Sequence, residues 1–227
     1  MSTNFITTRK ELLKFYHDNE IKFDKAHNLE HFLAVEKHCI EAVKYEDLSD
    51  KTKELIILAG LLHDLDDHKL FPDNSDYENA RFVLKDYSNE DVNLIIDMIS
   101  LVSCSVNGDS DAPEKWMLIP RDADRLEAIG EIGVSRCITY TQKVGKPMHN
   151  ENTPVCHTLE ELDQFITEER FKEYQVRGFS LTAMDHFIDK LLQIGKPEKL
   201  KSQNLYILKV ANELNQFTKN YYINYWK

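Results

Sequence analysis

The strongest constraint on the fold is an apolar run that leads directly into a cluster of ionisable residues. Residues 55–62 (LIILAGLL) are apolar on nearly all sides of a helix, which is typical of a helix at the centre of a domain. The next seven residues, 63–69, read HDLDDHK. Burying such groups is costly unless they are paired, and a divalent cation pairs with both His and Asp. The alternative is that the helix simply ends in a solvated acidic turn.

Composition favours helices elsewhere in the chain. The 227 residues include only 7 Gly and 6 Pro, fewer turn residues than an all-β sandwich or barrel needs at its hairpins. Hydrophobic residues make up 42% and charged residues 30%, as in a soluble globular protein. No linker or repeat divides the sequence. We therefore predict an all-α fold, a single-domain helical bundle spanning residues 1–227.

Apolar spacing at i, i+3 and i+4 locates the individual helices. Asn28, Ser49 and Ser88 are suitable N-caps for three of them. Gly130 and Gly133 are expected to interrupt the helical stretch that follows residue 121. Turn-forming residues predict loops over 104–113 and 144–158. The predicted helices cover 9–19, 28–44, 50 through the apolar run, 76–87, 88–103, a segment from about 121, 158–175, 180–194 and 197–222.

Charge and cysteine content exclude several classes of protein. The 28 basic and 39 acidic residues give a net charge of −11, so duplex nucleic acid is not expected as a partner. An anionic substrate must then be small and must meet local Lys, Arg or a metal ion. The sequence contains no long apolar span and no signal-peptide pattern, which predicts a cytoplasmic protein without membrane contact. The four cysteines form no C-x-x-C pair, and we expect reduced thiols.

Two further segments carry candidate metal ligands. His27 and His31 are four residues apart, which places both imidazoles on one face of a helix or of its entry turn. The segment 122–127 (DADRLE) combines carboxylates with an arginine between apolar residues. Each pattern is common by itself, as core histidines in the first case and as an amphipathic helix in the second.

In this order, His27 and His31, then His63-Asp64, then Asp124 resemble the motifs of the HD-domain superfamily of metal-dependent phosphohydrolases. The sequences around these motifs are similar to those of the small stand-alone branch of predicted HD hydrolases, and the resemblance covers about residues 24–192. It implies an HD-type helical bundle. It also implies that His31, His63, Asp64 and Asp124 bind a divalent metal ion. His27 is then a further ligand, a residue behind the ligands, or a residue that faces the substrate.

Two positions depart from that branch. Where its bacterial members carry a His-Ser-Phe-Ser-like element, this chain has Val102-Ser103-Cys104-Ser105, so a substrate-side histidine is absent there. Asp67 follows His63 by four residues, and if the helix continues the two side chains face the same space. Asp67 and His27 are therefore the candidate catalytic residues, which orient the attacking water or move its proton.

A mixed nitrogen and oxygen site suits Mn²⁺, Fe²⁺, Co²⁺ or Ni²⁺, with Mg²⁺ and Zn²⁺ as further options. The resemblance implies hydrolysis of a phosphoester or phosphoanhydride bond in a small molecule, with a nucleotide as the leading class. Nucleoside monophosphates, deoxynucleoside triphosphates, cyclic nucleotides and (p)ppGpp stay open, as does the oligomeric state. Lys69, Arg125 and Lys190 are the candidate substrate-binding cations, and Arg125 is equally suited to fixing a helix near Asp124. The alternative function is a non-catalytic HD module that binds a metal or a nucleotide.

Overall fold

A computed structural model describes residues 1–20, 23, 28–68, 70–103 and 109–227. Helices, turns and irregular segments account for these residues, and the described ranges contain no β-strand. The predicted all-α class is therefore confirmed. The chain forms two compact units, Met1–Asp124 and Arg125–Lys227. The single domain expected over residues 1–227 stays a prediction.

The unit Met1–Asp124 is arranged around the apolar helix. This helix, α3 (Asp50–Leu62), packs against α2 (Leu29–Ala42) and α5 (Asn89–Ser100), and each residue from Leu55 to Leu62 is buried. The prediction of a central helix is confirmed, because a helix that is apolar on all sides needs neighbours on several faces. The helices are α1 (Thr3–Asp18), α2 (Leu29–Ala42), α3 (Asp50–Leu62), α4 (Glu78–Val83), α5 (Asn89–Ser100) and α6 (Ile119–Glu127), with α6 containing the boundary to the next unit.

Side-chain caps determine where these helices begin. Asn28, Ser49 and Ser88 each accept a hydrogen bond from a backbone N–H in the first turn, as predicted. Helix α1 begins earlier than the expected residue 9, because the Ser2 side chain accepts from the Phe5 N–H and caps it. Helix α4 is shorter than predicted.

The late start of α4 has a backbone cause. Asp76 and Tyr77 have φ angles of +52° and +56°. These angles lie in the left-handed region, which an α-helix does not contain. The helix expected from residue 76 therefore begins at Glu78.

Besides the last residues of α6, the unit Arg125–Lys227 contains five α-helices, one of which includes a π-helical turn, and a short 3-10 helix at Pro197–Lys199. The long C-terminal helix, α11 (Leu205–Tyr225), packs against α7 (Gly130–Lys143) and α8 (Leu159–Asp163). Gly130, with a φ of +71°, begins α7, whereas Gly133 lies inside that helix and does not interrupt it. The segments are α7 (Gly130–Lys143), α8 (Leu159–Asp163), α9 (Glu168–Arg177), α10 (Ala183–His186, a π-helical turn Phe187–Leu191, then Leu192–Ile194) and α11 (Leu205–Tyr225).

Two of the predicted C-terminal helices were wrong in extent. The helix expected over 158–175 is divided, because Thr167 accepts from the Arg170 N–H and starts a new helix. The helix expected from 197 begins only after Asn204, whose side chain accepts from the N–H groups of Tyr206 and Ile207. The loop predicted over 144–158 is confirmed as free of helix. None of the helices in the described part of the chain combines the length and the apolar character needed to cross a bilayer.

Candidate metal centre

His63 stands at the C-terminal end of α3, immediately after its last residue. Its Nδ1 lies 2.8 Å from the carbonyl oxygen of Gly60. Because a carbonyl only accepts, Nδ1 carries the hydrogen and donates it, which leaves the Nε2 lone pair of the neutral ring directed away from the helix. A backbone carbonyl that holds one imidazole nitrogen in this way is the usual partner of a metal-binding histidine.

His31 comes from the first turn of α2, where its backbone N–H donates to the capping side chain of Asn28. The cap therefore fixes the position at which His31 leaves the helix. The Nε2 atoms of His31 and His63 are 3.2 Å apart.

Two carboxylates complete the cluster. Asp64 Oδ2 lies 3.1 Å from His63 Nε2 and 3.4 Å from His31 Nε2. Asp124 Oδ1, from α6, lies 3.3 Å from His31 Nε2 and 3.6 Å from His63 Nε2. The structure therefore brings together the four residues predicted as metal ligands.

These separations fit a single cation. With metal–ligand distances of about 2.1 Å, neighbouring ligand atoms stand about 3.0 Å apart in octahedral and about 3.4 Å apart in tetrahedral coordination. The measured separations range from 3.1 to 3.6 Å. His31, His63 and Asp124 also satisfy the mutual distances required of a metal-binding group. Asp64 adds a second oxygen, which lies within 3.4 Å of both histidine nitrogens.

The cluster is open on its carboxylate side. The side chains of His31 and His63 are 5% and 0% exposed, whereas those of Asp64 and Asp124 are 20% and 33% exposed. The exposed edge of the cluster is therefore its carboxylate side. A catalytic metal site needs a coordination position that solvent or substrate can reach, whereas a structural site is closed.

Electrostatics couple the four groups in the absence of metal. Burial opposes protonation of His31, but its hydrogen bonds to Asp124 and Asp64 outweigh this effect and raise its pKa to about 9. Burial likewise opposes the charge on His63, and Asp64 raises the pKa of that ring. Burial favours the neutral form of Asp64, while the two imidazoles hold its pKa well below the usual range. The raised histidine pKa values and the lowered Asp64 pKa therefore both favour charged histidine–carboxylate pairs in the metal-free protein.

We expect metal binding to release protons at pH 7. His31, with a pKa of about 9, is protonated in the metal-free protein and must lose that proton to act as a ligand. Apparent affinity should therefore fall about tenfold per unit as pH decreases below this pKa. Calorimetric titration with Mn²⁺ in buffers of different ionisation enthalpy measures the number of protons released. Release of no protons at pH 7 would contradict the coupling.

Asp66 and Asp67, which follow Asp64 in the sequence, contact different parts of the structure. Helix α3 ends at Leu62, so the continuing helix that would align Asp67 with His63 is absent. Asp67 instead lies in a turn in which its N–H donates to the Asp64 carbonyl at 3.1 Å. Asp66 turns towards α4, where its carboxylate accepts from the N–H groups of Asn79 and Ala80. Asp66 therefore stabilises the start of α4.

Of the remaining predicted residues, His27 and Lys69 lie outside the described residues. Arg125 is buried in the unit Arg125–Lys227, where its guanidinium donates to the Lys199 carbonyl. Lys190 lies in the same unit, in the π-helical turn of α10. Val102 occupies the position at which bacterial members of the small stand-alone HD branch have a histidine, and it is buried in the apolar core.

Sequence reasoning missed the part played by Gly60. Its carbonyl orients His63, and its lack of a side chain leaves room for Cys39 of α2, because an added Cβ would lie 2.4 Å from the Cys39 sulfur. A glycine inside an apolar helix, three residues before a candidate ligand, was the available signal.

Comparisons with known proteins add the fold and the family. No family model matches the sequence. Three solved structures cover 96–99% of the chain at 20–22% identity. They are a protein of Lactobacillus plantarum (TM-score 0.69), an HD-superfamily hydrolase of Bacillus thuringiensis (0.63) and the Lin1889 protein of Listeria innocua (0.63). Each of these chains is itself covered to 96%. The chain thus has an HD-like fold.

A closer relative is the uncharacterized protein L803 of Acanthamoeba polyphaga mimivirus. It is 41% identical over an alignment of 243 positions that covers 99% of both chains. At this identity and coverage, the chain belongs to the same protein family as L803.

Proposed function

We propose that the chain is a metal-dependent phosphohydrolase that cleaves a phosphoester or phosphoanhydride bond of a small molecule, with nucleotides as the substrate class. One observation carries the proposal. Ligand atoms of His31, His63 and Asp124 lie close enough together to hold one cation, and Asp64 Oδ2 lies within 3.4 Å of both histidine nitrogens. The HD-superfamily hydrolase among the solved structures supports the same class of reaction through its shared fold.

The proposed roles follow from the positions of the side chains. His31, His63, Asp64 and Asp124 hold the cation, for which their mixed donors favour Mn²⁺, Fe²⁺, Co²⁺ or Ni²⁺. When bound, such a cation supplies Lewis acidity towards a phosphoryl oxygen and lowers the pKa of water. The Gly60 carbonyl keeps the His63 ring in the tautomer that presents Nε2. Asp67, joined to Asp64 by its turn, orients the attacking water.

A phosphate-bearing substrate requires local positive charge on this acidic chain. With a net charge of −11, the protein attracts an anion only where cations are concentrated. Lys69 and Lys190 remain proposed substrate-binding residues. The hydrogen bond from Arg125 to the Lys199 carbonyl favours the alternative in which Arg125 fixes the chain locally.

A matrix of metals and substrates tests the function. Metal-stripped protein is reconstituted separately with Mn²⁺, Co²⁺, Ni²⁺, Mg²⁺ or Zn²⁺, and is incubated with nucleoside mono-, di- and triphosphates and with cyclic nucleotides. Chromatography of the products distinguishes released phosphate from pyrophosphate. We expect turnover with at least one metal and none after chelation.

The controls separate catalysis from binding. Asp124→Asn should remove both metal and turnover, and thereby exclude a contaminating phosphatase. If the reconstituted protein binds metal and a nucleotide but hydrolyses none of the substrates, the hydrolase proposal fails and the chain is a binding module.

We expect Asp67→Asn to lower kcat by about 100-fold while metal content stays unchanged, since a positioned acid–base group contributes about 10²–10⁴ in rate. Elemental analysis and steady-state kinetics provide the two measurements. Asp73→Asn, which replaces an exposed carboxylate a few residues later, is the matched control. Loss of metal in Asp67→Asn would make Asp67 a ligand, and an unchanged kcat would remove it from the reaction.

A further inference from the structure

A cavity of about 180 Å³ lies within the unit Arg125–Lys227, and one face of α9 forms part of its wall. The α9 residues that line it are Arg170, Glu173, Tyr174 and Arg177. They follow the i, i+3, i+4 and i+7 spacing that places side chains on one side of a helix. An edge contact with His186, at 5.4 Å between ring centres, holds the Tyr174 ring in this wall. The wall therefore combines charges of both signs with an aromatic ring.

Asp185 and Asp189 of α10 form the buried part of the cavity. These residues are 8% and 7% exposed. Arg170 joins them, since its guanidinium donates to Asp185 at 3.2 Å and to Asp189 at 2.7 Å. Two carboxylates share one guanidinium, which leaves an excess of one negative charge among these three groups.

Hydroxyl groups hold the two carboxylates in place. Ser180 donates to Asp189 at 2.8 Å, and Thr182 donates to Asp185 at 2.7 Å. Burial nevertheless raises the pKa of Asp189, and Ser180 and Arg170 offset this effect only in part. A cationic group of a ligand would be stabilised here, because a buried carboxylate needs an opposite charge.

Glu173 and Arg177 form the exposed mouth of the cavity. They are one helical turn apart, and Arg177 Nη2 lies 3.5 Å from Glu173 Oε2. Their separation exceeds the about 2.7–3.2 Å of a well-formed hydrogen bond, and an exposed ion pair of this kind contributes little stability. Each group can therefore exchange its partner for a ligand group. The mouth presents one positive and one negative charge side by side.

We propose that this cavity binds a free basic amino acid of the arginine type. The cationic side chain of the ligand lies against Asp185 and Asp189. At the mouth, the α-carboxylate meets Arg177 and the α-ammonium group meets Glu173, with charge-assisted hydrogen bonds in both pairs. An anion without a cationic group would face the two buried carboxylates, and a simple cation would leave Arg177 unused.

The size of the cavity agrees with this ligand. A cavity of about 150 Å³ is enough to hold benzene, so about 180 Å³ accommodates the side chain while the α-groups stay in the open mouth. The inference goes beyond the proposed hydrolase activity. None of the residues that line the cavity is a proposed metal ligand or a proposed substrate-binding residue.

Calorimetric titration of the full-length chain with L-arginine and with agmatine tests the proposal. Agmatine is arginine without its carboxylate and carries two positive charges, so a site that recognises only cations would bind it at least as tightly as arginine. We expect saturable binding of arginine at pH 7 in EDTA and about 0.15 M chloride, which screens weak surface attraction. Agmatine should bind at least about tenfold more weakly, the scale of a lost hydrogen bond between charged groups.

Variants separate the two ends of the cavity. Arg177→Gln should weaken arginine binding at least about tenfold and should not weaken agmatine binding, because only the α-carboxylate meets this residue. Asp189→Asn should weaken the binding of both ligands. Far-UV circular dichroism confirms that each variant is folded. If Asp189→Asn is not folded, Arg177→Gln decides, since its side chain is exposed at the mouth.

Lys172→Gln is the matched control, because Lys172 is an exposed residue of α9 that does not line the cavity. This variant should bind arginine as the parent does. The proposal is overturned if arginine shows no saturable binding, if agmatine binds as tightly as arginine, or if Arg177→Gln weakens arginine binding no more than Lys172→Gln does. Because the titration contains EDTA and measures no turnover, its outcome is independent of the proposed hydrolase activity.

Discussion

His63→Ala and Asp124→Ala are each expected to lower metal affinity by about 100-fold or more and to abolish metal-dependent turnover. The loss of a partner behind a ligand already costs about 10–100-fold in affinity, and the removal of a ligand costs at least as much. Each variant also lacks one of two ligand atoms, His63 Nε2 and Asp124 Oδ1, which lie 3.6 Å apart in the parent. Elemental analysis of protein purified without chelator measures occupancy.

Thermal unfolding provides a second readout of these variants. A metal that binds only the folded state stabilises it by RT ln(1 + [M]/Kd), about 2.7 kcal/mol at a hundredfold excess over Kd. The parent should therefore show a rise in Tm with added metal that both variants lack. His157→Ala, at an exposed histidine of the other unit, should retain metal and the rise in Tm. Full occupancy in both ligand variants would show that the ligand set is wrong.

Gly60→Ala is expected to destabilise the protein and weaken metal binding together. The new Cβ would lie 2.4 Å from the sulfur of Cys39 and 3.5 Å from Val35, and Cys39 is fully buried between α2 and α3. Overpacking of a core costs about 1–3 kcal/mol, against about 1 kcal/mol gained when alanine replaces glycine in a helix. Relief of the clash moves α2 away from α3, and hence His31 away from His63. We expect at least about a tenfold loss of metal affinity.

Removal of the sulfur should reverse this effect. In Gly60→Ala/Cys39→Ala the new methyl group occupies the space that the thiol has left, so both stability and metal affinity should return towards those of the parent. Chemical denaturation and metal titration of the parent, both single variants and the double variant complete the cycle. If Gly60→Ala binds metal as the parent does, the close approach of the helices does not position the ligands.

The sequence by itself determined those features that depend on one helical turn. Asn28, Ser49 and Ser88 cap helices where expected, because a cap involves a side chain and an N–H only a few residues away. The all-round apolar segment before His63 identified the central helix. The adjacent His63 and Asp64 identified the candidate site, since two such groups at a buried helix end require a partner.

Errors arose where a nearby polar side chain competes with helical spacing. Thr167 and Asn204 start new helices, yet the apolar pattern runs through both positions. Asp67 was placed on the assumption that α3 continues, whereas the chain turns after Leu62. The neighbouring Asp66 then serves α4. Spacing alone does not tell which of two adjacent carboxylates faces a helix start and which faces a site.

The tertiary structure decided every distance between residues that are far apart in the chain. His31 and His63 are 32 positions apart, and their contact depends on how closely Gly60 lets α3 approach Cys39 of α2. Local propensity acts within one turn of the chain, whereas packing depends on the shapes of two faces that no local pattern records. The sequence therefore identified the candidate metal ligands, and the packing of the helices decided how they meet.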